Sequence, residues 1–559
     1  MQVENPWIGY LNRSYASIKQ NLLERLGIAA PEVTDHSESN ILIIIISIFA
    51  GLMEQLNYYI DNLAREAFIG QARRYSSMVS LVKLIDYRIK AKVPATVDVR
   101  MEWKFDGDTA LMLGDTTMGP GNTFATANSI PFIAVEPVSL QEGDPAIWIL
   151  PCKQQQTVED YNLGNTNGSA GQVFPLPSDY AHGSGLVLIN GEYWEERPTF
   201  GRSTTEDKHY IVDVSADQIP YIKFGDNVNG LIPTSGQAVV LSYSATQGAE
   251  GNVDPNTIIV NTLIDWADLA WVDEVVITNP IKASGGADVE PIERIRENAP
   301  RSLRTLDRAV SKQDYIDVSM LAPGVRFADV FWDCGKTIDI YIAPNDGGIA
   351  SLALLADTKA FVDLRKMYTT TIRVSPSGET ALVIQLDVTA NPYVDAPTCK
   401  AQVENAMVGE YEFEKSQVNR KIRLSDIYAL VDNLVTVDFL NISVLTTNPY
   451  ARPLYSLTQL DADITTLPAS STKIHWRIAY DGSAFRLFKN GAFITQIYIG
   501  VLYTDTANVM TVLLNAGVYN AGDEWEFYTY PYTEDIELDD YSVPILELAN
   551  LTVNVTEQP

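Results

Sequence analysis

Apolar residues recur along this chain at two periods, and the switch between them divides it. Up to about Lys92 the spacing is helical. Residues 41–50 are nearly all apolar and run on into Leu52, Leu56, Tyr59, Ile60, Leu63 and Ala67, set against Glu54, Asn57, Asp61 and Arg65. That pattern predicts one long helix over 39–68, apolar all round at its start. A second helix is predicted over 76–90, with Met78, Val79, Val82 and Ile85 on its apolar face. From Val97 the period becomes two: Val97, Val99, Met101, Trp103 and Phe105 alternate with polar residues, as in a half-buried strand. Short apolar runs split by Gly, Pro, Asn and Asp continue to about Asn279 and predict a β-rich region. Within it, residues 162–171 read as a loop. Residues 225–230, with Pro233, read as the turn of a hairpin that returns through a strand at 238–243.

Residues 285–348 mix both periods. A short helix is predicted over 288–298, ended by Pro300, which disfavours helical geometry at Ala299. Ser311 reads as the N-cap of a second helix, with Asp314 three residues on as a capping-box partner. Tyr315, Val318 and Leu321 follow at helical spacing, and Pro323-Gly324 ends the run. Strands are predicted at 325–330 and through Ile338, Ile340 and Ile342. Beyond, Leu382, Ile384, Leu386 and Val388 alternate as a strand, 399–408 reads as a helix, and Ser425 reads as the cap of a helix carrying Ile427, Leu430 and Val431. Strands and helices in mixed order indicate an α+β domain.

Residues 451–533 change character again. Asp481-Gly482 and Asn490-Gly491 sit between alternating runs and mark two consecutive hairpins. The alternation of Leu551, Val553 and Val555 then reads as a closing strand. The expected organisation is α+β and multidomain. It comprises an N-terminal helical segment (1–92), a β-rich middle domain (93–280), an α+β core (281–450 with 534–559), and an all-β domain inserted at 451–533.

Composition narrows the function. The 559 residues carry 40 basic against 71 acidic side chains, a formal charge of −31, which argues against general nucleic-acid binding. No Lys or Arg occurs from 490 to 559; that stretch is read as a solvated acidic face, with a docking surface or a divalent-ion site near Asp523 to Glu526 as the sharper options. Cys152, Cys334 and Cys399 are far apart and read as small buried apolar residues. The four histidines, His36, His182, His209 and His475, show no ligand spacing. Gly335-Lys336-Thr337 lacks the leading glycine of a phosphate loop, and Asp106-Gly-Asp108 lacks the later ligands of a calcium loop. No catalytic, cofactor or metal residues are indicated. Residues 41–50 alone are too short to cross a bilayer, which takes about 20 apolar residues, so no membrane span is expected; the long helix is left as either a core helix or part of an inter-subunit bundle.

One ordered set of residues resembles a known family. Gly285, Gly286, Asp288, Glu290, Ile295, Arg296, Ala299, Pro300, Arg304, Thr305, Arg308, Ala309, Val310, Asp314, Tyr315, Pro323, Gly324, Val325, Gly347 and Gly348 follow the order of the baseplate J-like family, the baseplate wedge proteins of contractile phage tails and related injection systems. The block from Phe224-Gly225-Asp226 to Gly251-Asn252-Val253 is similar to another family block, with Asn227 where glycine is usual, and 425–428 resembles its Ser-Asp-Ile-Tyr helix. The resemblance spares only 451–533.

It implies a non-enzymatic subunit of the virion tail baseplate, assembled in the host cytoplasm. It also implies contacts with copies of itself, a second wedge protein, the central hub or spike and the sheath, in a sixfold arrangement that couples host contact to contraction. Residues 451–533 are a candidate attachment point for a tail fibre or adaptor. The candidate interface residues are Arg294, Arg296, Arg301, Arg304, Arg308, Asp288, Glu290, Asp314, Ile44, Leu52, Leu56 and Tyr59. The turn residues are Gly285, Gly286, Pro323, Gly324, Gly347 and Gly348. The alternatives are a glycan-binding adhesin or depolymerase using Trp476, Tyr480, Phe485, Phe488 and Trp525, or the equivalent subunit of a non-phage injector.

Overall fold

In the computed structural model, helix α1 (Tyr15–Ala29) lies against α2 (Ile41–Arg65), and the Tyr15 backbone N–H donates to Glu54 at 2.9 Å. The structure describes residues 14–556 apart from 32, 34, 36, 38–39, 105–115, 119–122, 141–146, 262–273, 333–336, 449–451, 454–461, 467–472, 506–509, 516–518, 520–522, 530–534, 537 and 539–540. The His36, Cys334, Gly335-Lys336 and Asp106–Asp108 positions therefore lie outside the described residues.

Helix α2 matches the expected long helix, with Asn40 accepting from the Leu42 N–H as its cap. Helix α3 (Tyr75–Lys83) is shorter than expected. The chain turns at Asp86, which takes a left-handed φ of 57°, and this puts Tyr87 and Ile89 into a cluster with Met78, Val82, Ile295 and Ala299. Burial of those two side chains overrides the helical spacing that runs on past Lys83.

The middle region holds two sheets. The first is six-stranded and antiparallel, in the spatial order 258–261, 123–126, 131–134, 147–153, 96–104, 274–278. Its core gathers Val97, Val99, Met101, Phe124, Phe132, Trp148 and Cys152. The second has seven strands, in the order 156–165, 238–245, 186–189, 192–196, 209–214, 220–224, 173–175. Two expectations fail here. Residues 162–165 belong to the strand Gln156–Asn165, so the loop starts later. Pro220–Phe224 and Ala238–Ala245 are not hairpin partners: the first pairs with 209–214 and 173–175, the second with 156–165 and 186–189. The glycine-rich segment between them is a compact loop. Asn227 there takes φ 68°, a left-handed geometry that asparagine tolerates, and donates its N–H to Gly230 O.

Helices α4 (Ile292–Thr305) and α5 (Lys312–Leu321) open the core. Contrary to the sequence reading, α4 starts at Ile292 and passes through Pro300 to Thr305. Proline removes one N–H there, yet the last turn is held from outside the helix by ion pairs to α5 described below. Helix α5 has the expected capping box between Ser311 and Asp314. Strands 325–332 and 337–344 pair antiparallel, and 371–376 adds in parallel after α6 (Leu352–Asp363). A second sheet centres on 379–390. It is flanked by 437–448 on one edge and, in parallel, by 543–545 and 551–556 on the other. Helices α7 (Ala396–Glu410) and α8 (Leu424–Asp432) pack on this sheet. Ser425 lies inside α8 and does not cap it; the Leu424 N–H is instead accepted by Asp535 at 2.8 Å, from a segment 111 residues away. Residues 452–529 form two further sheets around Trp476, Ile478, Leu487, Val512, Trp525 and Phe527. The whole is a mixed α+β multidomain fold.

Candidate assembly surfaces

Three segments meet at Glu290. Its side chain is buried, and its carboxylate accepts from the Tyr87 hydroxyl at 2.7 and 2.8 Å, from Asn298 Nδ2 at 2.7 Å and from the Lys90 N–H at 3.3 Å. Burial, then the Glu290 charge, pushes the Tyr87 hydroxyl well above its usual pKa. Burial also lowers the Lys90 ammonium to about 8. Glu290 thus fastens the stretch after α3 to α4. Gly285 and Gly286 shape the approach: Gly285 takes φ +85°, and a Cβ on Gly286 would stand 2.5 Å from Gly248 O. Asn252 completes the contact, donating to Gly286 O at 3.0 Å and accepting its N–H at 2.9 Å.

The arginines mostly find partners inside the chain. Arg294 donates to Asn345 Oδ1 at 2.8 Å and to Val325 O at 3.3 Å; burial, with Arg326 nearby, lowers it to about 10. Arg296 donates to Ile69 O at 3.3 Å and Ala72 O at 2.8 Å, and also pairs with Glu293, so it clamps the turn after α2 onto α4. Arg301 donates to Asn298 Oδ1 at 3.0 Å and stands 3.9 Å from Asp317. Arg304 reaches Asp317 at 2.9 Å, yet its side chain is 58% exposed. Arg308 is exposed and helps hold the Asp314 carboxyl below its usual range, behind the backbone N–H of Ser311. Asp288 is exposed, 4.0 Å from Lys92. Pro323-Gly324 makes the turn after α5, with Gly324 at φ +85°. Gly347 and Gly348, also at positive φ, follow strand 337–344, and the Gly348 N–H donates to Glu379. Asp317, which sequence reasoning missed, is the buried acid that anchors Arg301 and Arg304; nothing in its spacing marks it.

Helix α2 is different. Ile44, Ile48, Leu52, Leu56, Tyr59 and Leu63 are all exposed, and only Ile43, Ala50 and Arg65 are buried along its length. This corrects the core-helix reading. By length and composition this mostly exposed helix is long and apolar enough to cross a bilayer. The shortness of 41–50 therefore excludes nothing by itself.

The aromatic residues of 452–529 are mainly core. Trp476 and Trp525 are fully buried and Phe485 nearly so. Arg477 holds Glu524 at 3.0 Å, and His475 sits 2.9 Å from Glu526. No grouping of metal-ligating side chains occurs among the described residues. The histidines are scattered: His182 is lowered to about 4 by burial, and His209 bonds Ser203 at 2.9 Å. Cys152 and Cys399 are buried and unpaired by disulfides.

Residues 14–84, which hold α1 to α3, match the family model of the bacteriophage baseplate protein, N-terminal domain. That match supports the class of baseplate structural protein. In three dimensions the chain is similar to a chain in the cryo-EM structure of the anti-feeding prophage baseplate, 6-fold symmetrised. The match has 13% identity and a TM-score of 0.27, and covers 76% of this chain and 86% of that one; a likeness this loose carries no inference. No curated protein matches the chain in sequence.

Proposed function

We propose that the chain is a baseplate J-like wedge subunit of a contractile tail, non-enzymatic and present in the baseplate of the virion after assembly in the host cytoplasm. It assembles with copies of itself and with a second wedge protein around the central hub, and it couples host contact to sheath contraction. The working domain division is 1–92, 93–280, 281–450 with 534–559, and 451–533, the last as the attachment point for a fibre or adaptor. One observation carries the reading: within the segment that matches the baseplate N-terminal domain, α2 leaves its apolar stripe uncovered. Contiguous apolar surface of this kind marks a contact with another macromolecule. At 25 residues the helix is roughly 38 Å long, enough for several turns of helix-on-helix packing. Of the arginines, Arg304 and Arg308 are the exposed ones, and Arg304 already pairs with Asp317, so Arg308 is the one we assign to a neighbour.

Co-purification of the whole chain with the neighbouring wedge protein tests this. Leu52→Glu with Leu56→Glu should abolish the complex and leave the circular dichroism unchanged. A complex that survives both changes, or a wild-type chain that floats with lipid vesicles instead of binding the protein, overturns the proposal. Of the aromatics named for the glycan-binding reading, Trp476, Phe485 and Trp525 are packed inside their own sheets, which leaves it only the half-buried Tyr480 and Phe488. A non-phage injector remains the same proposal in another particle.

A further inference from the structure

Helix α4 ends on a leucine where glycine would fit with less strain. Leu306 is its C-cap at φ 47° and ψ 43°, a left-handed geometry that helix ends usually give to glycine or asparagine, and Asp307 follows at φ 58°. A bulky side chain is strained there. The chain reversal itself has a cause inside the molecule. It lets Asp307 pair with Arg365 at 2.5 Å and the Ala309 N–H donate to Arg365 O at 2.8 Å, which ties the turn between α4 and α5 to the end of α6. The leucine side chain has no such cause. Leu306 is 64% exposed; Leu303 and Val310 near it in the chain, and Leu364 beside Arg365, are exposed as well, and none of the four joins a core cluster.

The charge around this leucine is basic, against the trend of the chain. Residues 301–312 hold Arg301, Arg304, Arg308 and Lys312 with a single acid, Asp307, in a chain of net charge −31. Arg301 and Arg304 turn to Asp317, and Lys312 stands 3.4 Å from Asp329; Arg308 is exposed. The complement of an exposed leucine beside an arginine is an exposed aliphatic side chain beside a carboxylate. Within 490–559, where no Lys or Arg occurs, Glu547 and Leu548 are the one place among the described residues where an exposed acid adjoins an exposed large apolar side chain. They directly precede strand 551–556, which pairs with 379–390, whereas α5 and α6 pack on the sheet of 325–332, 337–344 and 371–376. One chain therefore offers both patches from different sheets, and a head-to-tail contact between them repeats into a ring.

We propose that Leu306, with Leu303 and Arg308 beside it, docks on Glu547 and Leu548 of a second copy of this chain. The inference rests on the reading that copies of the chain assemble, and it names the two surfaces that meet. Leu306 strains the turn and adds nothing to the core of its own chain; what it supplies is apolar surface buried in the contact, with Arg308 paired to Glu547 at its rim.

Sedimentation of the whole chain over a range of concentrations, alone and with the neighbouring wedge protein, reads this contact. Leu306→Gly should weaken self-association about tenfold or more. Hydrogen exchange should at the same time show α4 protected as well as or better than in wild type, because the strain leaves with the side chain; a leucine that held the turn would lower that protection. Leu306→Asn serves where glycine loosens the helix end. Arg308→Glu should weaken self-association about tenfold, and adding Glu547→Arg to it should restore the wild-type value within about threefold. Binding of the neighbouring wedge protein through α2 should be unchanged in these variants, and Leu52→Glu with Leu56→Glu should leave this self-association in place, so the two readings fail separately. Self-association that survives Leu306→Gly, a double charge reversal that recovers nothing, or a wild-type chain that stays monomeric at every concentration overturns the proposal.

Discussion

Removing the Glu290 side chain should cut the N-terminal helices loose from the core. In Glu290→Ala the Tyr87 hydroxyl, Asn298 Nδ2 and the Lys90 N–H lose the acceptor they share. Each buried donor left unpaired costs about 1–3 kcal/mol. These terms are not additive within one network, and the expected loss is about 3–5 kcal/mol, as for breaking a buried charged network. Glu290→Gln keeps one acceptor oxygen and should cost about 1–2 kcal/mol. Tyr87→Phe removes a single donor and should cost about 1 kcal/mol. Because a multidomain chain does not unfold in one step, the assay is hydrogen exchange resolved on residues 87–93 and on α4. Protection there should drop while strands 379–390 and 474–480 stay unchanged. A Glu290→Ala protein whose α4 protection lies within about 0.5 kcal/mol of wild type would refute the reasoning, since no surface contact of this kind needs a buried carboxylate.

Other consequences are as direct. Arg304→Ala leaves buried Asp317 with Gln313 at 3.2 Å and Arg301 at 3.9 Å, and should destabilise the α4–α5 pair by about 1–2 kcal/mol in local exchange; Arg308→Ala should stay within about 0.5 kcal/mol, so a loss of partner binding in the Arg308 variant reports the interface and not the fold. Asp535→Ala removes the acceptor at the start of α8 and should cost about 1 kcal/mol, read as faster exchange of Leu424 to Ile427. Trp476→Ala should cost about 3–5 kcal/mol within 474–529 alone, and limited proteolysis should then cleave that region while α4 to α6 remain intact.

Periodicity made most elements legible before any coordinates. The alternation at Leu382 to Val388 became the central strand 379–390, and Asp481-Gly482 and Asn490-Gly491 became the turns joining three strands in succession. What failed were readings that depended on distant partners. Pro300 looked like a helix end because its local preference is clear, but the ion pairs from Arg301 and Arg304 to Asp317 that carry α4 past it come from another helix. Ser425 looked like a cap because the residue that serves, Asp535, is far along the chain. The hairpin at 225–230 failed because turn residues fix a local reversal and do not choose which strands pair across it. For the candidate surfaces, the charged motif at 285–308 was visible as a motif, yet most of its charges close on the chain itself. The exposure of α2 was not legible, since an apolar helix reads the same whether it faces its own core or a neighbour.

The proposal that this chain is built into a baseplate fixes where it must be found in the particle. A short epitope placed in the exposed Asp481–Ser483 turn, followed by electron microscopy of labelled particles, tests it most directly. Label should be confined to a ring at the end of the tail, present before contraction and retained after it. Label spread along the tail, or particles that carry none while the tagged chain accumulates free in the cell, would contradict it.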